Sequence, residues 1–294
     1  MVSKARTQPS QPSLRTSCAG FTLIELLVVL AIIVVLAGLL FPALASSKSQ
    51  VRGVCCLNNL RQVQAAMFLY AADNDDFVAW NFNYVKHSWV CSGDYGRAAP
   101  DARGCTNVQW LIDREYAAFA DYIKTPSTYK CPSDKTVVPI DARRHPWVRS
   151  YGASFIQRKM TDFENNMSLE GTPVPPTMNY TFNEPHPGYL VGLLAAGAEI
   201  DAFAEFPAYW HNGAAGFAFA DGHVELHRWI DARTRRPLDD EMPFDSSGSS
   251  KLVRSPNNAD VHWLCQRSAS GIGYGRQDMD IVHALAADPS IWLQ

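Results

Sequence analysis

The sequence predicts an α+β protein: a long N-terminal helix, half of it fit for a membrane and half amphipathic, packed on an antiparallel β-sheet head. Residues 20–45, GFTLIELLVVLAIIVVLAGLLFPALA, form an apolar run with Glu25 as its one charged residue. Beyond it Cys56, Leu60, Val63, Met67 and Tyr70 recur at alternating steps of four and three, one stripe of a helix. Further on, FADGHVELHRW at 219–229 sets Asp221-Gly222 between apolar residues, a strong short-range hairpin signal.

The 294 residues suffice for one large domain or two small ones, and 47% apolar content supports a sizeable core. The net charge of −3 is weak and dispersed, and no basic stripe with interleaved aromatics occurs, so nucleic acid is excluded as a partner. Eight Trp, eleven Tyr, fourteen Phe and eighteen Pro favour a loop-rich, sheet-containing head over a helical bundle. Of seven cysteines no two form C-x-x-C, which argues against a zinc knuckle or a thioredoxin-type site. In an oxidising space some of them are expected to pair.

Residues 1–20 carry Lys4, Arg6 and Arg15 and no acid, and read as a leader. Residues 21–45 read as a transmembrane helix, since about twenty helical residues cross a bilayer of about 30 Å. The basic leader should stay cytoplasmic, which places everything after about Ser46 outside. Three readings compete here. A secretory signal has a small-x-small site in Ala43-Leu44-Ala45, but its apolar core is normally shorter and holds no acid. A plain signal anchor explains length and orientation and leaves Glu25 without a role. The third reading is a cleavable leader ending at Gly20. Whichever holds, an unpaired carboxylate in hydrocarbon costs several kcal/mol and needs a partner.

Residues 46–72 continue the helix with one apolar face, and AADNDD at 71–76 ends it as a solvated turn. A helix over 21–72 would be roughly 75–80 Å long, with Pro42 expected to kink or locally melt it. Residues 73–294 make the globular head. Strands are expected at 76–85, 87–91 and 149–157, a helix at 108–123, a turn-rich element at 129–134, and loops at 164–178 and 241–256. In the hairpin, 216–229, a two-residue Asp221-Gly222 turn would pair Phe219 with Val224 and Phe217 with Leu226 on one face. His223, Glu225 and His227 would then point to solvent, and His211 would bond the hairpin backbone or Asp221. No Walker A loop, G-x-S-x-G or H-E-x-x-H occurs, so neither enzyme, cofactor nor metal is expected.

The segment GFTLIELLVVLAII at 20–33, after its short basic leader, resembles the N-terminus of type IV prepilins and type II secretion pseudopilins. CLNNLRQ (56–62), CPSD (131–134), Arg149-Ser150-Tyr151 and His211, nine residues before Asp221-Gly222, are similar to a family of large prepilin-type proteins with an H-x9-DG signature. The resemblance implies a pilin-like fold. It implies cleavage between Gly20 and Phe21 by prepilin peptidase, N-methylation of Phe21, and a Glu25 carboxylate paired with the Phe21 amine of a neighbouring subunit. The implied partners are pilin or pseudopilin subunits, an inner-membrane assembly platform and the lipid bilayer, with the head periplasmic or extracellular. The product is a type II secretion pseudopilus or a type IV pilus-like filament. It also implies a Cys56–Cys131 disulfide, closing about 75 residues and adding about 4 kcal/mol in the chain-entropy model. Cys91–Cys105 is a second possible pair, and free buried thiols are the alternative. The rival reading is a membrane-tethered binding or hydrolase domain that uses this N-terminus only for export.

Overall fold

A computed structural model describes residues 21–79, 81, 88–90, 106–140, 143–154, 174–186, 196–197, 202–203, 205–236 and 253–267. The chain divides into two compact units, Met1–Ala45 and Ser46–Gln294. Helix α1, Leu23–Asp73, contributes to both. Its stretch Leu23–Phe41, with a mean hydropathy of 3.1, is long and apolar enough to cross a membrane, and its side chains are exposed. Helix α1 does not melt at Pro42, because a proline removes only its own N–H and the turns on either side still close.

From Ser46 onward α1 shows the expected stripe. Cys56, Leu60, Val63, Ala66, Met67 and Ala71 are buried, Tyr70 half-buried, and Arg61 and Gln62 exposed. The helix ends in AADNDD: Asp76 N donates to Ala71 O at 2.9 Å, and Asp75 and Asp76 take φ of 53° and 64°. Short polar side chains tolerate that left-handed region, so the acids stop the helix.

Strands β1 (Val137–Ile140) and β2 (Arg143–Pro146) form a small hairpin. The central sheet is antiparallel, in the order β3 (Gly152–Ala153), β4 (Tyr180–Asn183), β7 (Ala214–Phe219), β8 (Val224–Arg228). A second small sheet joins β5 (Ala196–Gly197), β6 (Ala202–Phe203) and β9 (Val253–Arg254), and α2 spans Ala259–Arg267. The expected helix at 108–123 is instead two 3-10 turns, Val108–Leu111 and Ala118–Asp121. Asp113 breaks it, its carboxylate taking the Glu115 N–H at 2.9 Å in an Asx turn. The expected strands at 76–85 and 87–91 reduce to single bridges at Phe77 and Ser88 where described, with Trp89 buried and its indole donating to Asn81 at 2.8 Å. The strand expected at 149–157 is limited to β3 among the described residues; the loop expected at 241–256 lies mostly outside them.

The hairpin forms in a different register from the expected one. Phe217 pairs with Glu225 and Ala218 with Val224, while Phe219 N donates to His223 O at 3.0 Å. Gly222, at φ 95°, makes this a three-residue loop, with its N–H bonded to Phe219 O at 2.9 Å. A one-residue slip exchanges faces along the whole of β8. Val224 joins the core that also holds Leu60, Met67, Trp89 and Phe182. Phe217 and Phe219 point the other way, into a core with Phe203, Phe206, Trp229 and the α2 residues Val261 and Leu264.

Strand β7 is thus small on one face and aromatic on the other. Its helix-facing Gly216 carries no Cβ; one built there would lie 2.6 Å from Leu60 Cδ1 on α1 and 3.1 Å from Glu184 Oε2. The sheet accepts α1 at this distance only because Gly216 is bare. Gly216→Ala is therefore expected to destabilise the head by about 1–3 kcal/mol, read as a lowered thermal midpoint of the full chain in detergent. Gly38→Ala, where a Cβ meets nothing within 4 Å, should leave that midpoint unchanged.

Candidate functional site

At the start of α1, Thr22 and Glu25 cap the helix reciprocally. Glu25 N donates to Thr22 Oγ1 at 3.2 Å, while Thr22 N and Thr22 Oγ1 donate to Glu25 Oε2 at 2.8 and 2.7 Å. This is a capping box, T-x-x-E, which satisfies two backbone donors the helix would otherwise leave open. The sequence reading asked what Glu25 pairs with in another chain and missed this local partner, although Thr22-Leu23-Ile24-Glu25 spells it out. Both bonds from Thr22 fall on Oε2, so Oε1 remains to accept from elsewhere.

A second site lies inside the head. Cys56 on α1, Cys131 after the Pro126–Tyr129 turn, Glu184 at the end of β4 and His211 before β7 place their ligand-type atoms within 4.8 Å of one another. Each arrives for a local reason. Cys56 sits on the apolar stripe of α1. Cys131 is held by the turn that bonds Asp134 N to its carbonyl at 3.0 Å. A bulge between Tyr180 and Phe182 turns Phe182, and with it Glu184 two positions on, toward the helix. His211 is set by a tight turn in which Asn212 and Gly213 take φ of 54° and 83°. Gly53 lies over the imidazole and gives Leu226 room, since a Cβ there would lie 3.0 Å from Leu226 Cδ1 and at an ordinary 3.6 Å from His211 Nδ1.

The contacts are close. His211 Nε2 lies 3.5 Å from Cys131 Sγ and 3.3 Å from Glu184 Oε1, and Cys56 Sγ lies 2.7 Å from Glu184 Oε1. Three further donors face the cluster: Tyr151 Oη to Cys56 Sγ at 3.3 Å, Ser133 N to Cys131 Sγ at 3.4 Å and Gly216 N to Glu184 Oε2 at 2.6 Å. Cys56, Cys131 and Glu184 are 0% exposed and His211 4%. Burial, contact with Cys131 and the Glu184 charge push the Cys56 thiol well up. Burial alone would press His211 down, but Cys131 and Glu184 outweigh it and lift the imidazole to about 10. Burial would raise Glu184; its bonds to His211, Cys56 and Cys131 lower it instead.

The expected Cys56–Cys131 disulfide is absent. The two residues meet, but both are free thiols. Cys56 Sγ donates to Glu184 Oε1, and Cys131 Sγ lies against His211 Nε2. Cys91, Cys105 and Gly20 lie outside the described residues. No metal was expected from the sequence, and the fold gathers four side chains of ligand type. Glu184 was not anticipated. Its signal was the alternation of a carboxylate two positions beyond buried Phe182.

Residues 15–41 match the family described as the prokaryotic N-terminal methylation motif. The chain carries a prepilin-type cleavage and methylation segment. No curated protein and no solved structure matches the chain. The prepilin-type segment covers the basic Arg15, Gly20, Phe21, the capping box and the membrane-length stretch of α1. It supports a pilin- or pseudopilin-like role in export or assembly.

The hairpin histidines do not converge. His211 and Asp221 stand at opposite ends of six-residue β7, about 20 Å long. His211 therefore faces Glu184, while Asp221 binds His223 Nδ1 at 2.6 Å on the surface. His227 is not solvent-facing as expected from the earlier register. It stacks on Trp263 of α2 at 3.7 Å and packs against Trp229. Burial drives its pKa down to about 4 from an ordinary 6.5, Arg267 assisting and Asp260 opposing. The unfolded chain thus takes up a proton that the fold refuses, so His227 costs nothing above pH 6.5 and lowers stability as pH falls toward 4. The thermal midpoint should drop over that interval, and His227→Phe should flatten the drop while leaving the neutral-pH midpoint within a few degrees.

Proposed function

We propose that the chain is a pilin-like or pseudopilin structural subunit, not an enzyme. Prepilin peptidase cuts between Gly20 and Phe21 on the cytoplasmic face, and the new Phe21 amine is methylated. The subunit rests in the inner membrane through the first part of α1, with its head outside. The assembly platform then adds it to a type II secretion pseudopilus or a type IV pilus-like filament. The observation that carries this reading is the methylation motif at 15–41 together with a carboxylate as the one charged residue of the apolar run that follows Gly20.

The capping box refines the role of Glu25. Its Oε2 serves its own helix, and Oε1 is left for the amine of a neighbouring subunit. Two charges that neutralise each other in lipid set the axial register as subunits add, and removing one partner of such a pair costs about 3–5 kcal/mol. Local capping survives a glutamine, which keeps the acceptor oxygen and loses the charge.

Glu25→Gln should therefore be processed and membrane-inserted like the natural chain and fail to enter filaments, by shear fractionation and immunoblotting. Glu25→Ala should fail likewise. Mass spectrometry of the extracted protein should find a chain beginning at N-methyl-Phe21. A start at Ser46, an intact Met1, or normal assembly of Glu25→Gln would each overturn the proposal.

A further inference from the structure

We propose that Cys56, Cys131, Glu184 and His211 bind one zinc ion, which clamps α1 to the sheet. The donors are two sulfurs, one carboxylate oxygen and one imidazole nitrogen, a mixed set that suits Zn²⁺. They come from four separate segments, so the set is assembled by tertiary structure and spelled by no local motif. A tetrahedral zinc with ligands at about 2.0–2.3 Å holds its donors about 3.3–3.8 Å apart. The separations of His211 Nε2 from Cys131 Sγ, 3.5 Å, and from Glu184 Oε1, 3.3 Å, fall in or beside that range. The Cys56–Glu184 approach of 2.7 Å opens outward once an ion sits between them.

Three of the four donors carry outer bonds of the kind a metal site uses, while His211 Nδ1 is buried without a hydrogen-bond partner. Tyr151 Oη–H faces Cys56 Sγ, Ser133 N–H faces Cys131 Sγ, and Gly216 N–H faces Glu184 Oε2. Each is a donor aimed at a ligand that zinc would bind as an anion. When the ion binds, the two thiols and the imidazolium of the His211–Glu184 pair release their protons to solvent, and the imidazole binds neutral. Two thiolates and a carboxylate against Zn²⁺ then leave one negative charge, which the three donors face.

Two simpler accounts explain less. A disulfide uses the sulfurs and leaves a carboxylate and an imidazole buried at 0% and 4% exposure for no gain. A bare Glu184–His211 ion pair, with closest atoms 3.2 Å apart, roughly breaks even against its desolvation and gives both thiols no role. One cation employs all four. With the four ligands buried, no coordination position is open to a substrate, so the site is structural.

The test uses the full chain, extracted in detergent with reductant and without chelator. Elemental analysis and native mass spectrometry should find one zinc per chain, falling to background in Cys131→Ser and in His211→Gln. Because those variants may fold poorly, the natural chain is also stripped with chelator under reductant and titrated with Co²⁺. A thiolate-to-cobalt charge-transfer band and the d–d bands of a tetrahedral centre should grow to one equivalent and vanish when Zn²⁺ is added. Three results would each overturn the proposal: a folded, stripped chain giving no cobalt spectrum; zinc retained undiminished by Cys131→Ser; or a Cys56–Cys131 disulfide in non-reduced peptides of the freshly extracted protein.

Discussion

The head depends on how closely α1 approaches β7. A helix meets a sheet about 10 Å away when ordinary side chains fill the gap. Here two bare positions make room for side chains across it: Gly216 on the strand, under Leu60, and Gly53 on the helix, under Leu226. The aromatic volume displaced from this face of β7 reappears on the other, where Phe217 and Phe219 pack with Trp229 and Trp263. α2 covers that second face, and Asp260 ties it down. Its carboxylate accepts from Ile230 N at 3.1 Å, Asp231 N at 3.0 Å and Thr234 Oγ1 at 2.7 Å, which fixes the chain leaving β8. The two cores are therefore consequences of one choice of small and large residues along a single strand.

α1 serves two solvents. The same helix that buries Leu60, Val63 and Met67 against protein leaves Leu23–Phe41 with exposed apolar side chains all round. Such a surface is stable in lipid or against other helices and costs heavily in water. The capping box matters in that setting, because an uncapped helix start in hydrocarbon leaves N–H groups without water to satisfy them. Glu25 thus has a reason to be present in each subunit alone, and a remaining oxygen to offer a second one.

Period was legible in the sequence, and long-range placement was not. The stripe from Cys56 to Tyr70 and the acids that stop the helix at Asp73 follow from local chemistry, and both stand as read. The hairpin was legible to within one residue. Asp221-Gly222 allows a two- or three-residue loop, and the choice falls to the larger one because it puts Val224 and Leu226 on the α1 face with Gly216 and Ala218, away from Phe217 and Phe219, a preference no local signal states. Glu184 escaped for a related reason. Its face is decided by the bulge at Thr181, where the Thr181 hydroxyl bonds both Gln64 on α1 and Ala218 O on β7. Cys56 and Cys131 were brought together correctly, but two cysteines alone suggest a disulfide, and the residues that change the chemistry sit 50 or more positions further along the chain.

The placement of the four-residue cluster bears on what the chain does. Under the proposed filament role, any load from the head passes across the contact between α1 and the sheet. Much of that contact is apolar, made by side chains that slide as readily as they separate, since dispersion and burial have little direction. Beside the Thr181–Gln64 and Asn59–Lys130 bonds, the cluster adds directional bonds across it, joining Cys56 on the helix to Glu184, and through Glu184 and His211 to the Cys131 turn. A catalytic centre would need an opening to solvent, and this one is shut by α1 itself. A fastening has the opposite requirement: it holds best where solvent and exchange are excluded. Burial, four-fold convergence and position on the helix–sheet boundary are what the proposed fastening requires.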